Sequence, residues 1–297
     1  MPISRRTKNY SNILVCYTAK IYIVSFKLLY MFKLSQILLS PKKAVRHPFE
    51  IIFVVFFYTS ISLFMSLWIF PEHASIVMIF LAVIACLYIV EGVLIVEEKK
   101  ESNINSEAWL LKQHSKTLWF LFLLFFGFLI TYTIWTIALP ETILVNAFES
   151  QNSAYQDIIT ITGKVISHEN FQTILSNNLR VLFLSLLFAV FFGAGAIFIL
   201  AWNASIMGFV IGTLAKTIGL ISLPHIFLKY FIHGIPEILS YLAAALAGSI
   251  LFISIIKGDI KKGNAKRIFI DSFIIVIISI IFLIIAALIE TYISPFI

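Results

Sequence analysis

A chain of 297 residues would make one or two soluble domains by length alone. Its composition excludes that: 60% of the residues are apolar, 12% are charged and the mean hydropathy is +0.99, against about 25% charged in soluble domains. The two cysteines, Cys16 and Cys86, lie in apolar runs and exclude a disulfide scaffold, and the net charge of +7 does not indicate nucleic acid, because Lys and Arg gather in a few segments beside the apolar runs.

The chain opens with a basic segment, 1–46. Within it, 10–40 is apolar but carries Lys20, Lys27 and Lys33. Burying each ammonium in a crossing helix would cost about 2.5–3.5 kcal/mol, so this stretch reads as an interfacial helix with snorkelling lysines. It has no small-residue cleavage site and does not read as a cleaved signal peptide. A bilayer core of about 30 Å takes about 20 apolar residues as helix. The predicted spans are 49–70, 74–96, 117–139, 179–202 and 268–289, with a long apolar region over 205–256 punctuated by Gly219, Pro224, Gly234 and Pro236.

Lys and Arg counts orient the spans. Residues 1–46 hold nine, 97–116 four, 140–180 two and 257–267 five, while 71–73 and the C-terminus hold none. Segments 1–46, 97–116 and 257–267 are therefore expected in the cytoplasm, with the loop 140–180 and the C-terminus outside. The region 205–256 must then cross twice. The expected architecture is all-α: a polytopic transmembrane bundle of about seven crossings, the fifth broken near 219–224 and the sixth starting at Pro236, with an N-terminal interfacial helix. A re-entrant pair over 205–232 is the alternative.

Enzyme motifs are missing. There is no H-E-x-x-H and no G-x-S-x-G. The run from Gly212 to Thr217 approaches a phosphate-binding loop, but Ala215 stands where the glycine before Lys216 belongs. No catalytic residue, cofactor or metal is therefore expected. The informative stretch is a polar series at four-residue spacing: His225, Lys229, His233, Glu237 and Tyr241. Three readings of Glu237 stay open. It caps the sixth span at its N-terminus, where the helix dipole favours a carboxylate; it pairs with His233 and locks two helices; or it belongs to a functional site. One His and one Glu fall short of the three protein ligands that zinc takes. Glu91 and Asp271, also inside spans, read as a snorkelling acid and a helix-start acid.

Small residues form a second pattern. Asn203 opens a ladder of Ala204, Gly208 and Gly212, answered in the sixth span by Ala243, Ala244, Ala245, Ala247 and Gly248. Such spacing lets backbones approach closely. Packing of the fourth, fifth and sixth spans on one another is expected, and a contact between copies of the chain stays open.

The order Asn177-Asn178-Leu-Arg180, a span with Gly193 and Gly195, Asn203, Gly208, and His233-Gly234-x-x-Glu237 resembles the stage II sporulation protein M family of integral membrane proteins, over about 117–292. The resemblance implies a membrane anchor for partner proteins, described in spore formers as cell-wall hydrolases. It divides the chain into the basic segment 1–46, an additional transmembrane hairpin and cytoplasmic loop over 47–116, and a family core over 117–297. Three functions compete: a non-enzymatic membrane scaffold, a transporter or exporter component with a polar site at the fifth and sixth spans, and an intramembrane enzyme.

Overall fold

The computed structural model describes residues 40–101, 115–162, 168–257 and 265–294. Regular structure among them is helical. The interfacial helix expected before residue 40 lies outside the described residues. Helix α1 (Pro41–Arg46) is capped by Ser40 and leads into α2 (Glu50–Ile69). A 3₁₀ turn at Pro71–His73 joins α2 to α3 (Ala74–Glu101). Then come α4 (Ser115–Ala138), the short α5 (Glu141–Ala147), α6 (Glu149–Thr162), α7 (His168–Phe192), α8 (Ala196–Ile218), α9 (Leu223–Lys257) and α10 (Ala265–Tyr292).

Six runs of the described residues are long and apolar enough to cross a membrane. One of them, Phe171–Ile218, has 48 residues, about twice what a crossing takes. It holds both α7 and α8, so the helices of crossing length are α2, α3, α4, α7, α8, α9 and α10. The chain is a multi-pass helical membrane protein.

The break falls where the sequence reading did not put it. The apolar run predicted as the fourth span is interrupted by a 3₁₀ turn at Gly193–Gly195. Gly193 has φ +60, a left-handed conformation that L side chains rarely adopt, and a Cβ there would meet the Phe252 ring at 2.7 Å. Ser249 Oγ donates to the Gly193 carbonyl at 3.1 Å, so the turn is satisfied from inside the protein. The fifth span is an unbroken helix, α8, that ends at Gly219 with φ +106. Residues 219–224 are the connection to the sixth span. Gly234 and Pro236 then lie inside the continuous α9; proline is tolerated in membrane helices when neighbours cover the freed carbonyl.

Close contacts set helix directions. A Cβ on Gly208 would stand 2.8 Å from Tyr132 Cβ and 3.0 Å from the Leu129 carbonyl, and one on Gly212 would stand 2.6 Å from Thr136 Cβ. Residue numbers rise together, so α8 runs parallel to α4. Gly248 meets Leu186 and Ala189 in the same way, so α9 runs parallel to α7. This corrects the expected ladder. The nearest neighbours of Gly208 and Gly212 lie on α4 and not on the alanine-rich sixth span. The two glycines seat α8 on α4, while Gly248 seats α9 on α7 and Ala244 is buried in the core.

The hairpin α2–α3 shares one hydrophobic core with the remaining helices. Gly127 of α4 lies against Ile52 and Val55, and Trp135 Nε1 donates to Ser60 Oγ at 2.8 Å. Buried hydroxyls such as Thr131, Thr133, Ser254 and Ser279 donate to the carbonyl one turn back, which removes the cost of placing them among apolar neighbours. The helices alternate in direction, so Lys116, Lys257, Lys266 and Arg267 gather at one end of the bundle, the basic end. The turns at 70–74, 139–141 and 219–222 lie at the far end.

Candidate functional site: a polar seam between α9 and α10

The polar series sits on one continuous helix. Four residues advance an α-helix by about 400°, so each member is rotated about 40° from the last. The row winds from surface to interior: His225 is exposed, Lys229, His233 and Glu237 are half-buried, and Tyr241 is buried. His233 and Glu237 do not bond to each other. His233 Nδ1 is 2.9 Å from Ser294 Oγ, just past the end of α10. The Glu237 carboxylate accepts from the Tyr241 hydroxyl at 2.8 Å. The Tyr230 ring lies 6.2 Å from that of His233.

The His233–Ser294 contact fixes the register of the antiparallel pair. Four residues forward on α9 is Glu237 and four back on α10 is Glu290, so the two carboxylates face each other across the seam. They are close enough for their charges to interact, and Tyr230 and Tyr241 also feel Glu290. The same count places Ala286, fully buried, level with Tyr241. Glu237 lies about 30 Å along the helix from Lys257, and Glu290 about 35 Å from Arg267. The seam therefore lies one hydrocarbon thickness from the basic end.

The other predicted residues divide. Counting back from the Gly248–Ala189 contact along the parallel helices puts Asn178 level with Glu237. Asn178 is buried, accepts weakly from Asn177 Nδ2 at 3.4 Å, and its own Nδ2 has no partner among the described residues. Gly234 is buried, with Met207 Cε 3.2 Å from where a Cβ would stand. Asn203 is remote in role: its Nδ2 donates to the Ile199 carbonyl of its own helix at 2.7 Å. The run from Gly212 to Thr217, with Lys216, is part of helix α8 and not a loop. Lys216 Nζ donates to the Leu139 carbonyl at 2.7 Å and lies 3.3 Å from Glu141, pinning the end of α8 to the end of α4. Among the described residues no group of three His, Cys, Asp or Glu side chains could hold a metal.

Sequence reasoning missed Glu290, Ser294 and a clamp at the far end. There α5 and α6 fold onto the bundle. Gln151 is fully buried and donates to the Ser75 carbonyl at 3.1 Å and to Ser205 Oγ at 3.2 Å. Ser150 Oγ lies 2.7 Å from Ser75 Oγ, and Phe148 stacks on Phe209 with its edge toward Tyr132. Burial pushes the Tyr155 phenol of α6 up from its ordinary range.

A family model described as Stage II sporulation protein M matches residues 117–295. The chain belongs to the stage II sporulation protein M family. The match takes in α4 through α10, and so the polar seam and, of the clamp, Gln151 and Ser205; the hairpin α2–α3, with Ser75, lies before it. Over 131 residues this family member is 37% identical to an uncharacterized protein of Methanocaldococcus jannaschii, across 42% of this chain and 71% of that protein. No solved structure matches.

Proposed function

We propose that this family member is an integral membrane scaffold, with no catalytic chemistry of its own, that holds partner proteins at the cell membrane. The observation that supports this reading is the clamped far end. Gln151, Ser150 and Phe148 hold α6 against three crossing helices, while Asn152, Ser153 and Gln156 stay exposed on its outer side. A docking role needs such a platform, held rigid by the bundle. By the positive-inside rule the basic end is cytoplasmic, so the N-terminus lies inside and the platform and C-terminus outside. Cell-wall hydrolases are then the partner class that the family suggests. In a background free of Cys16 and Cys86, an impermeant thiol reagent applied from outside should label a cysteine at Ser153 and spare one at Asn264; the reverse would invert the topology. Protein purified from native membranes should carry a partner at fixed stoichiometry. That partner should leave the membrane fraction of cells lacking this protein, and it should be lost from a Ser153→Arg, Gln156→Arg variant that still folds. A partner indifferent to α6 would contradict the reading.

The facing carboxylates favour a second reading, a transporter component. Ionisable side chains in crossing helices are costly and mark ion or substrate paths. Under that reading, purified protein in liposomes moves a cation or proton, and Glu237→Gln or Glu290→Gln abolishes the flux while leaving partner capture intact.

A further inference from the structure

The exposed face of α7 carries a shallow, open depression lined by Gln172, Leu175, Ser176, Leu179, Arg180 and Phe183. These residues recur at three- and four-residue spacing, so they form one strip along the helix. The strip is graded. Gln172 and Ser176 lie toward the far end of the bundle, Arg180 lies at the middle, and Phe183 lies one turn further toward the bilayer centre. Phe183 is 59% exposed and Leu179 37%, so apolar surface continues inward from the cation.

The depth of Arg180 follows from the α7–α9 register. Counting back from the Gly248–Ala189 contact puts it level with Leu239, about 27 Å along the helix from Lys257. That is close to the thickness of the hydrocarbon core, so the guanidinium stands at the headgroup level of the leaflet at the far end. Among the described residues no carboxylate pairs with Arg180, and the far end holds few other cations. A fork of N–H donors suits a phosphate, the neighbouring amide and hydroxyl suit its ester oxygens, and the apolar run below suits an acyl chain.

We propose that this depression is a binding site for a phospholipid of the far leaflet, with its phosphate on Arg180, its headgroup toward Ser176 and Gln172, and one acyl chain along Leu179 and Phe183. The site is independent of the seam and of the clamp.

Native mass spectrometry of the full chain released from detergent, with phosphatidylglycerol titrated in, tests it. Wild-type protein should retain the lipid, and Arg180→Gln should weaken the tightest-bound one about tenfold, the loss of one charge-assisted hydrogen-bond partner. Arg180→Lys should keep most of the binding. Phe183→Ala should weaken it with the cation intact. Dioleoylglycerol, which has the chains and no phosphate, should not be retained, and glycerol phosphate, which has no chains, should not compete. Arg180 and Phe183 are exposed, so both variants should keep the wild-type thermal midpoint. Equal retention by wild type and Arg180→Gln overturns the proposal, as does a second copy of the chain whose association depends on Arg180.

Discussion

Glycine substitutions on α9 separate a backbone contact from a side-chain contact on one helix. A Cβ added at Gly248 would lie 2.5 Å from Ala189 Cβ, 2.7 Å from the Leu186 carbonyl oxygen and 3.1 Å from the Val190 nitrogen. Two of those three atoms are backbone, so Gly248→Ala can be accommodated only by moving α7 and α9 apart by close to 1 Å. Overpacking of this kind costs about 1–3 kcal/mol, and the gain in helix propensity of about 1 kcal/mol offsets only part of it. At Gly234 the new methyl group meets only Met207 Cε, at 3.2 Å, the tip of a flexible side chain. Gly234→Ala should therefore be neutral or stabilising by up to about 1 kcal/mol. Thermal unfolding of both variants in the same detergent, followed by tryptophan fluorescence, should place Gly248→Ala below wild type and Gly234→Ala at or above it. Equal midpoints would mean that α7 and α9 are not held backbone to backbone, and the register that places Asn178 and Arg180 would fall with them.

Double-mutant cycles should assign the partners in the seam: His233→Ala with Ser294→Ala, and Glu237→Gln with Tyr241→Phe, should each couple by about 0.5–3 kcal/mol, and His233→Ala with Glu237→Gln should couple more weakly than either; strong coupling only in the last cycle would restore a direct His–Glu pair. Gln151→Leu should cost about 1 kcal/mol, because it removes two hydrogen bonds together with a buried Oε1 that has no partner among the described residues, and it should speed protease cleavage in α5–α6; unchanged proteolysis would deny the clamp. Lys216→Met should lower stability by about 1 kcal/mol through the freed Leu139 carbonyl, while Lys216→Arg should retain most of it; a neutral Lys216→Met would remove the pin.

The first three spans were legible because each is an uninterrupted apolar stretch closed by proline or charge. The region 179–256 was not, because its real turn carries no polar signal. Gly193–Gly195 sits between apolar neighbours and is satisfied from within by Ser249, so hydropathy passes straight over it. The opposite error came from Gly234 and Pro236, which read as a break although α9 continues through them. The four-residue spacing of His233, Glu237 and Tyr241 was readable as a helical row. Their partners were not, because Ser294 and Glu290 join the site only through the antiparallel register of α9 against α10. The small-residue pattern was read as a close-packing device, and Gly248 does join the sixth span to the fourth, whereas Gly208 and Gly212 meet α4, a neighbour that the spacing did not indicate. Spacing states that a helix can be approached, whereas the approaching helix depends on the path of the turns.

The seam depends on α9 being one helix whose polar row is set against α10. Pairwise cysteine substitution tests that directly, in a chain otherwise free of cysteine and held in native membranes. Oxidation should crosslink the pair replacing His233 and Ser294 and the pair replacing Glu237 and Glu290, and should leave a pair at Glu237 and Leu283 uncrosslinked, because Leu283 lies two turns nearer the basic end. Crosslinking of 237 with 283 and not with 290 would contradict the register, and with it the facing carboxylates.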